Sequence, residues 1–433
     1  MVIVDPMHNL FLGTAHHFWK HLLEKKLVRN LTKIDDQLSE TRSYCPQDMG
    51  RIPQDITNIK MVPSFTADQW KNWTISFSVP FMTGNVDQKY LEVWKSFVAG
   101  SMLLCSRVLS RGDALRADGY LHDFCIQAEE LLGKDFVTPN MHLHNHLLEC
   151  INDFGPVYSF WLFSFERYNG ILGDFTTNNK NIEAELMKKF LILNYSFNLE
   201  LEEEEESFLA SIKEPQVQGS LQIEEVDIDV FEVYGNSFSP EDPPRGDEKY
   251  GNPVGPLQLT TLPQIIRSRL LKYYEQLPDL RNQNINFSPV IRKFSNYAIG
   301  PELFTSSESR TERSSNVLTI WNVTTGNVAE VNSNIFPGKI LFFFTHKVRV
   351  GDQTKEFTFA YLKYFAKSPT SQGRNVSWAF DPEIFRNEWK QDTFYQEADD
   401  CIVPVQRIIC RFVPAIIKPG IFAICPLHRK IIF

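Results

Sequence analysis

One stretch of this chain holds more than its entire net negative charge, and it divides what can fold on either side. Residues 196–255 carry 16 Asp+Glu against 3 Lys+Arg, a net −13, including the run Glu202–Glu206 and the segment SPEDPPRGDEKYGNPVG. Carboxylate repulsion together with the Pro and Gly content predicts a linker here. The flanks differ from each other. Residues 1–195 hold 19 Lys+Arg against 22 Asp+Glu, whereas residues 256–433 hold 22 against 15, so the C-terminal third is basic at +7. Charged surfaces act within about 8–10 Å at physiological salt, so the overall −9 does not exclude a nucleic-acid partner for that third.

With 433 residues, 43% hydrophobic and 13% aromatic, the chain has room for two or three domains with real cores. No apolar run reaches the roughly 18 residues that cross a bilayer, and no basic n-region with an apolar stretch opens the sequence. Cys45, Cys105, Cys125, Cys150, Cys401, Cys410 and Cys425 are odd in number, scattered and never in CxxC. Reduced thiols in cytosol or nucleus are expected, not a zinc finger.

The pattern predicts a mixed α/β chain. Residues 1–4 read as a short buried strand, and Asp5-Pro6 opens a helix with Leu10, Phe11, Phe18 and Leu22 on its apolar side. Residues 30–63 read as polar and irregular. Several helices are expected over 64–132, with Thr66 and Gln69 spaced as a capping box. TPNMHLHNHLLECINDF, GPVYSFWLFSFERYNGILGDF and NIEAELMKKFLILNY continue the helical run, and TLPQIIRSRLLKYYEQL is a basic amphipathic helix. From Asn316 the period shortens to that of strands, through SNVLTIWNV, GKILFFFTHKVRV, EFTFAYLKYFA, NVSWAF, CIVPVQRIICRFVPAI and GIFAICPL. Lys339–Phe365 is read as part of a small barrel.

Several residues carry candidate chemistry, each beside a structural alternative. Asp5 before Pro6 suits a helix N-cap, with His8 an ordinary first-turn residue. Equally, a carboxylate at a strand end is where metal-dependent phosphoryl-transfer sites gather ligands. If 157–172 is helical, Glu166 shares a face with Tyr158, Leu162, Phe165 and Asn169, and its i±3 and i±4 neighbours include no cation. Such a carboxylate needs a divalent cation, an Arg from another element, or exposure to water. His142, His144 and His146 would share a face on a strand and could bind a transition metal, while on a helix only His142 and His146 meet. His17, His21 and Glu24 form HxxxHxxE, but Phe18 stands where a zincin carries its catalytic Glu. No P-loop, GxGxxG or GxSxG occurs, which removes the usual nucleotide-cofactor and hydrolase signatures.

Four segments in order, DPMHNLFLGTAHHFW, FTADQWKNWTISFSVPFM, TPNMHLHNHLLECINDFGPVYSFWLFSFERYNGILG and NKNIEAELMKKFL, resemble the transposases of CACTA-type DNA transposons of fungi and plants. The resemblance covers roughly residues 1–195. It implies a partial RNase H-like catalytic core over 1–195 with a large all-helical insertion over 9–155. An acidic linker over 196–255 and a small β-rich domain over 256–433 complete the expected architecture.

The resemblance also implies cut-and-paste transposition. An acidic (DDE) triad holds two Mg²⁺ or Mn²⁺ ions that cleave and transfer DNA strands. It puts the last triad acid and metal ligand at Glu166, and matches a C/D-x-x-H motif at Asp5 and His8. The family's other two acids precede that motif, and this sequence starts four residues before it. The expectation is therefore a chain without cleavage activity on its own, either part of a transposase or a DNA- or chromatin-binding remnant. Implied partners are DNA at transposon ends and other transposase subunits, in the nucleus, without membrane or nucleotide cofactor.

Overall fold

The computed structural model describes residues 3–106, 109–177, 181–197, 251–277, 280, 285–319, 335–350, 353–373, 382–397 and 401–427. They belong to two compact units, one of residues 1–160 with 237–433 and one of residues 161–236.

The first unit begins with a helix. Its opening segment, Met7–Ala15, is π-wound and runs directly into α1 (His16–Glu24), burying Leu10, Phe11, Phe18, Trp19 and Leu22. α2 (Leu31–Arg42) follows, then α3 (Ala67–Asn72), a second π-wound turn Trp73–Phe77, and α4 (Ser78–Met82). The Thr66–Gln69 capping box forms as expected: the Gln69 amide donates to Thr66 Oγ1, and the Thr66 amide donates to Gln69 Oε1 at 2.9 Å. α5 (Gln88–Leu104) and α6 (Arg111–Leu132) pack closely because Gly100 lacks a Cβ, which would come within 2.9 Å of Leu121. Their aromatics stack with the first helix, Phe18 on Trp94 at 4.9 Å and Phe97 against Phe124 at 5.0 Å. α7 (Pro139–Leu143), a 3₁₀ turn His144–His146 and α8 (Leu147–Phe154) complete this layer.

The same unit contains the β-rich region. Six antiparallel strands close into a barrel in the order β7 (Asn316–Thr319), β8 (Phe336–Val350), β9 (Gln353–Lys367), β10 (Glu388–Phe394), β13 (Ile421–Pro426) and β12 (Ile408–Lys418), which returns to β7. Closure removes the unpaired edges that an open sheet would leave. β8 also carries β4 (Val290–Phe294), which pairs with β2 (Gln258–Thr261), and β3 (Ile285–Phe287); β11 (Ile402–Pro404) joins β9. β1 (Asn252–Val254), β5 (Asn296–Ile299) and β6 (Glu302–Phe304) form a small separate sheet. α11 (Gln264–Gln276) lays Leu270, Tyr273 and Tyr274 on the aromatic surface of β9, with Tyr273 edge-on to Phe359 at 5.1 Å. Buried His346 is satisfied there: its Nε2 lies 2.7 Å from the Ser288 carbonyl, a donor arrangement that leaves Nδ1 to accept from the Tyr274 hydroxyl at 2.8 Å.

The helical layer and the barrel are joined. α2 lies on β12, where the Ile416 amide donates to Thr41 Oγ1 at 3.0 Å. The Cys425 thiol donates to the Ser76 carbonyl at 2.7 Å, and the Arg411 guanidinium clamps Asp48 at 3.0 and 2.9 Å. In the second unit, α9 (Phe163–Gly173) and α10 (Ile182–Phe197) meet edge-to-face through Tyr168 and Phe190 at 6.4 Å.

Several expectations change. Residues 3–5 form no strand, and among the described residues up to 197 there is no sheet, only a single bridge between Val28 and Val86. Residues 30–63 are not irregular throughout, because Ile34, Leu38 and Thr41 give α2 a narrow buried stripe. Strands begin at Asn252, well before Asn316, in pieces of three to five residues too short to show a period. Phe163, not residue 157, starts α9, since Val157–Ser159 is a 3₁₀ turn after Pro156. The expected barrel over Lys339–Phe365 is present in β8 and β9, whereas the expected strand NVSWAF and linker residues 198–250 lie outside the described residues.

Candidate nucleic-acid interface

Alternation along β8 decides which charges reach solvent. Residues directly opposite on a ladder share a face, as do residues two apart on a strand. The register pairs Arg292 with Thr345, Lys347 with Glu356 and Arg349 with Thr354. Arg292, Lys347 and Arg349 therefore stand together on one face, with Thr354, Glu356 and Thr358. Lys347 and Arg349 are exposed, and the Arg292 side chain is 38% exposed. Among the described ladder positions of this face the acid is Glu356, which bridges Arg292 at 3.3 Å and Lys347 at 3.5 Å. The sequence signal was present in THKVRV, where Thr, Lys and Arg alternate with His, Val and Val.

The opposite face carries lysines near its other end. Lys339 lies across the ladder from Lys363. Lys293 stands 4.4 Å above the Phe342 ring, which stacks on Tyr361 at 5.1 Å. Each lysine meets a glutamate: Lys293 with Glu308 at 2.6 Å, Lys339 with Glu312 at 2.5 Å, and Lys363 with Glu397 at 3.7 Å. Buried Arg269 donates to the Tyr361 hydroxyl at 2.8 Å and to the Glu397 carbonyl at 2.9 Å. The Tyr361 hydroxyl donates to the Glu397 carboxylate at 2.5 Å, which holds that carboxyl below its ordinary value, while burial and this bond push the phenol up.

The residues singled out from the sequence are placed as follows. Asp5 caps the first helix: its Oδ1 accepts from the Met7 amide at 3.2 Å and Oδ2 from the His8 amide at 3.0 Å, with Pro6 between. His8 Nδ1 lies 2.5 Å from Asp5 Oδ2, so the structure brings this pair together. Glu166 is exposed in the first turn of α9, where the positive end of the helix favours a carboxylate. The case for an uncompensated acid on a buried apolar face therefore does not hold; Phe165 and Tyr168 beside it are exposed too.

His17 and His21 pack on the Phe136 ring, with His17 Nε2 3.0 Å from the Phe136 carbonyl, while Glu24 pairs with Lys20. The helical alternative applies to the histidine triplet. His142 and His146 meet edge-to-face at 5.1 Å, and His144 turns inward, with Nε2 2.9 Å from Cys125 Sγ. Burial lowers His144 to about 4 and raises Cys125 to about 11, so both are neutral near pH 7. Among the described residues no three His, Cys, Asp or Glu side chains gather as a metal site, and no helix is long and apolar enough to cross a membrane.

Comparison with protein-family models, with curated proteins and with solved structures finds no match to this chain.

Proposed function

We propose that this chain is a transposase-derived, DNA-binding protein of CACTA type, acting in the nucleus on transposon-end or chromosomal DNA through its β-rich region. The observation that carries the reading is the trio of half-buried Arg292 and exposed Lys347 and Arg349 on one sheet face, in a region of net charge +7. Clustered cations on one face are the electrostatic footprint of phosphate binding. The ordered motifs of residues 1–195 supply the family assignment, and Asp5, His8 and Glu166 match its C/D-x-x-H and last-acid positions. In the intact family an RNase H-like core holds two Mg²⁺ or Mn²⁺ ions for strand cleavage and transfer. The described residues do not fit that ion pair: both Asp5 oxygens accept helix N–H groups, and among the described residues no three His, Cys, Asp or Glu side chains gather as a metal site. DNA binding without cleavage is the activity proposed.

The test is to incubate the purified chain with transposon-end duplexes and with Mg²⁺ or Mn²⁺. Salt-sensitive retention of uncut duplex is expected. Robust nicking that Glu166→Gln abolishes would overturn the non-catalytic reading, and no duplex binding at low salt would overturn the DNA reading itself.

A further inference from the structure

Every third residue from Met141 onward turns inward, and this decides what the segment shows to solvent. Met141, His144, Leu147 and Cys150 are all 2% exposed or less. Thr138 and Pro139 start α7, and the 3₁₀ turn His144–His146 carries the three-residue spacing into α8. His142, His146 and Glu149 are left on the outer side. His142 is exposed, and the side chains of His146 and Glu149 are 41% and 64% exposed. Between the two outer histidines, His144 is lodged beside Phe97, Phe124 and the Cys125 thiol, which fixes the backbone that carries them.

The spacing of the outer pair suits one ion. The His142 and His146 ring centres are 5.1 Å apart, with the planes at 78°. Two imidazole nitrogens about 2.0–2.1 Å from a shared metal, at a tetrahedral angle, put their ring centres about 5 Å apart. Glu149 Oε2 lies 3.4 Å from His146 Nδ1. A carboxylate so placed holds one ring nitrogen and leaves Nε2 for a metal. α6 brings a second carboxylate within electrostatic reach: burial raises the Asp118 carboxyl, His122 pulls it back down, and the Glu149 charge raises it further. A cation bound here relieves that repulsion.

We infer that His142 and His146 ligate one divalent transition metal ion of the zinc type, with Glu149 orienting His146 and water completing the coordination. Imidazole nitrogen suits Zn²⁺, Ni²⁺ or Cu²⁺, whereas Mg²⁺ seeks oxygen. The site uses none of Asp5, His8 and Glu166, and it stands whether or not the chain binds DNA. An ion here ties α7 to α8 across the 3₁₀ turn.

The experiment titrates the full-length protein with Zn²⁺ by calorimetry and with Co²⁺ by visible absorption. One saturable event per chain is expected, and His142→Gln or His146→Gln should remove it. Glu149→Gln should weaken it about 10- to 100-fold. Excess Zn²⁺ should raise the melting temperature of the parent chain and leave that of the doubly substituted chain, His142→Gln with His146→Gln, unmoved. Circular dichroism melts without metal verify that the variants fold. Absence of saturable binding by the parent overturns the site and leaves the two rings as an edge-to-face aromatic contact. Equal binding by the doubly substituted chain overturns the ligand pair. Loss of binding in His122→Gln, on neighbouring α6, would overturn it too. An intense thiolate-to-cobalt charge-transfer band would put a cysteine on the ion and overturn the nitrogen-and-water coordination. Full-strength binding by Glu149→Gln overturns the orienting role of that carboxylate.

Discussion

A buried imidazole that titrates outside its ordinary range makes His144 a residue-scale sensor of acid. In the native state it sits between Phe97 and Phe124, fully buried and within 2.9 Å of the Cys125 thiol. Burial lowers it from 6.5 to about 4. Between those values the unfolded chain binds a proton that the native chain refuses, so stability rises with pH there. The contribution is fully present above about 6.5 and is lost as pH falls toward 4, an effect of up to about 3 kcal/mol. His346 and His16, also lowered by burial, act in the same direction. Urea midpoints at pH 7.5 and pH 4.5 should therefore differ less in His144→Gln than in the parent chain. An equal difference in both would assign the acid sensitivity to other groups.

Helix ends are where single substitutions act most cleanly at the scale of elements. Thr66 accepts the Gln69 amide and receives the Gln69 side chain in return. Thr66→Ala should cost about 1 kcal/mol in equilibrium unfolding, whereas Thr66→Ser should be nearly neutral because the cap oxygen is kept. Equal losses for Ala and Ser would show that methyl packing, not capping, matters there.

This cap was readable from the sequence because it needs only two residues at fixed spacing. The helices over 64–154, α11 and the long strands β8, β9 and β12 were readable for a related reason: each repeats its period several times. α2 escaped because LTKIDDQLSETR buries only Ile34, Leu38 and Thr41. β1 to β6 escaped because a strand of three to five residues is too short to show a period, and its identity lies in a partner elsewhere. The candidate interface was half readable. Alternation in THKVRV separates Lys347 and Arg349 from His346 and Val348, but Arg292 joins them only through the register of β4 on β8. Glu166 failed in the opposite way: helical spacing placed it beside apolar residues, yet spacing carries no information on whether that stripe is covered.

At the scale of the whole molecule, the acidic stretch suggested that helices and barrel fold independently, but their contacts argue for a common core. Residues more than 300 positions apart in sequence meet where α2, Asp48 and Ser76 reach β12 and β13, and no local pattern announces such pairs. Arg411 is the clearest of them. Burial opposes its charge, but two hydrogen bonds to Asp48 and the nearby Glu302 carboxylate, 3.5 Å away, leave it held more firmly protonated than usual. Its side chain and that of Glu302 are 4% and 3% exposed. Arg411→Leu would take the guanidinium charge from the buried Glu302 carboxylate and from Asp48, at a cost of about 3–5 kcal/mol. Adding Glu302→Leu should recover much of that loss, since an apolar pair of similar volume replaces a buried ion pair at little net cost. Hydrogen exchange under increasing denaturant distinguishes a shared core from two independent ones. Amides of α2 and β12 should open at the same denaturant concentration, and Arg411→Leu should lower both together. Early opening of α2 with β12 still protected would mean that the barrel stands without the helical layer, and that the clamp from Arg411 to Asp48 fastens a surface instead of joining a core.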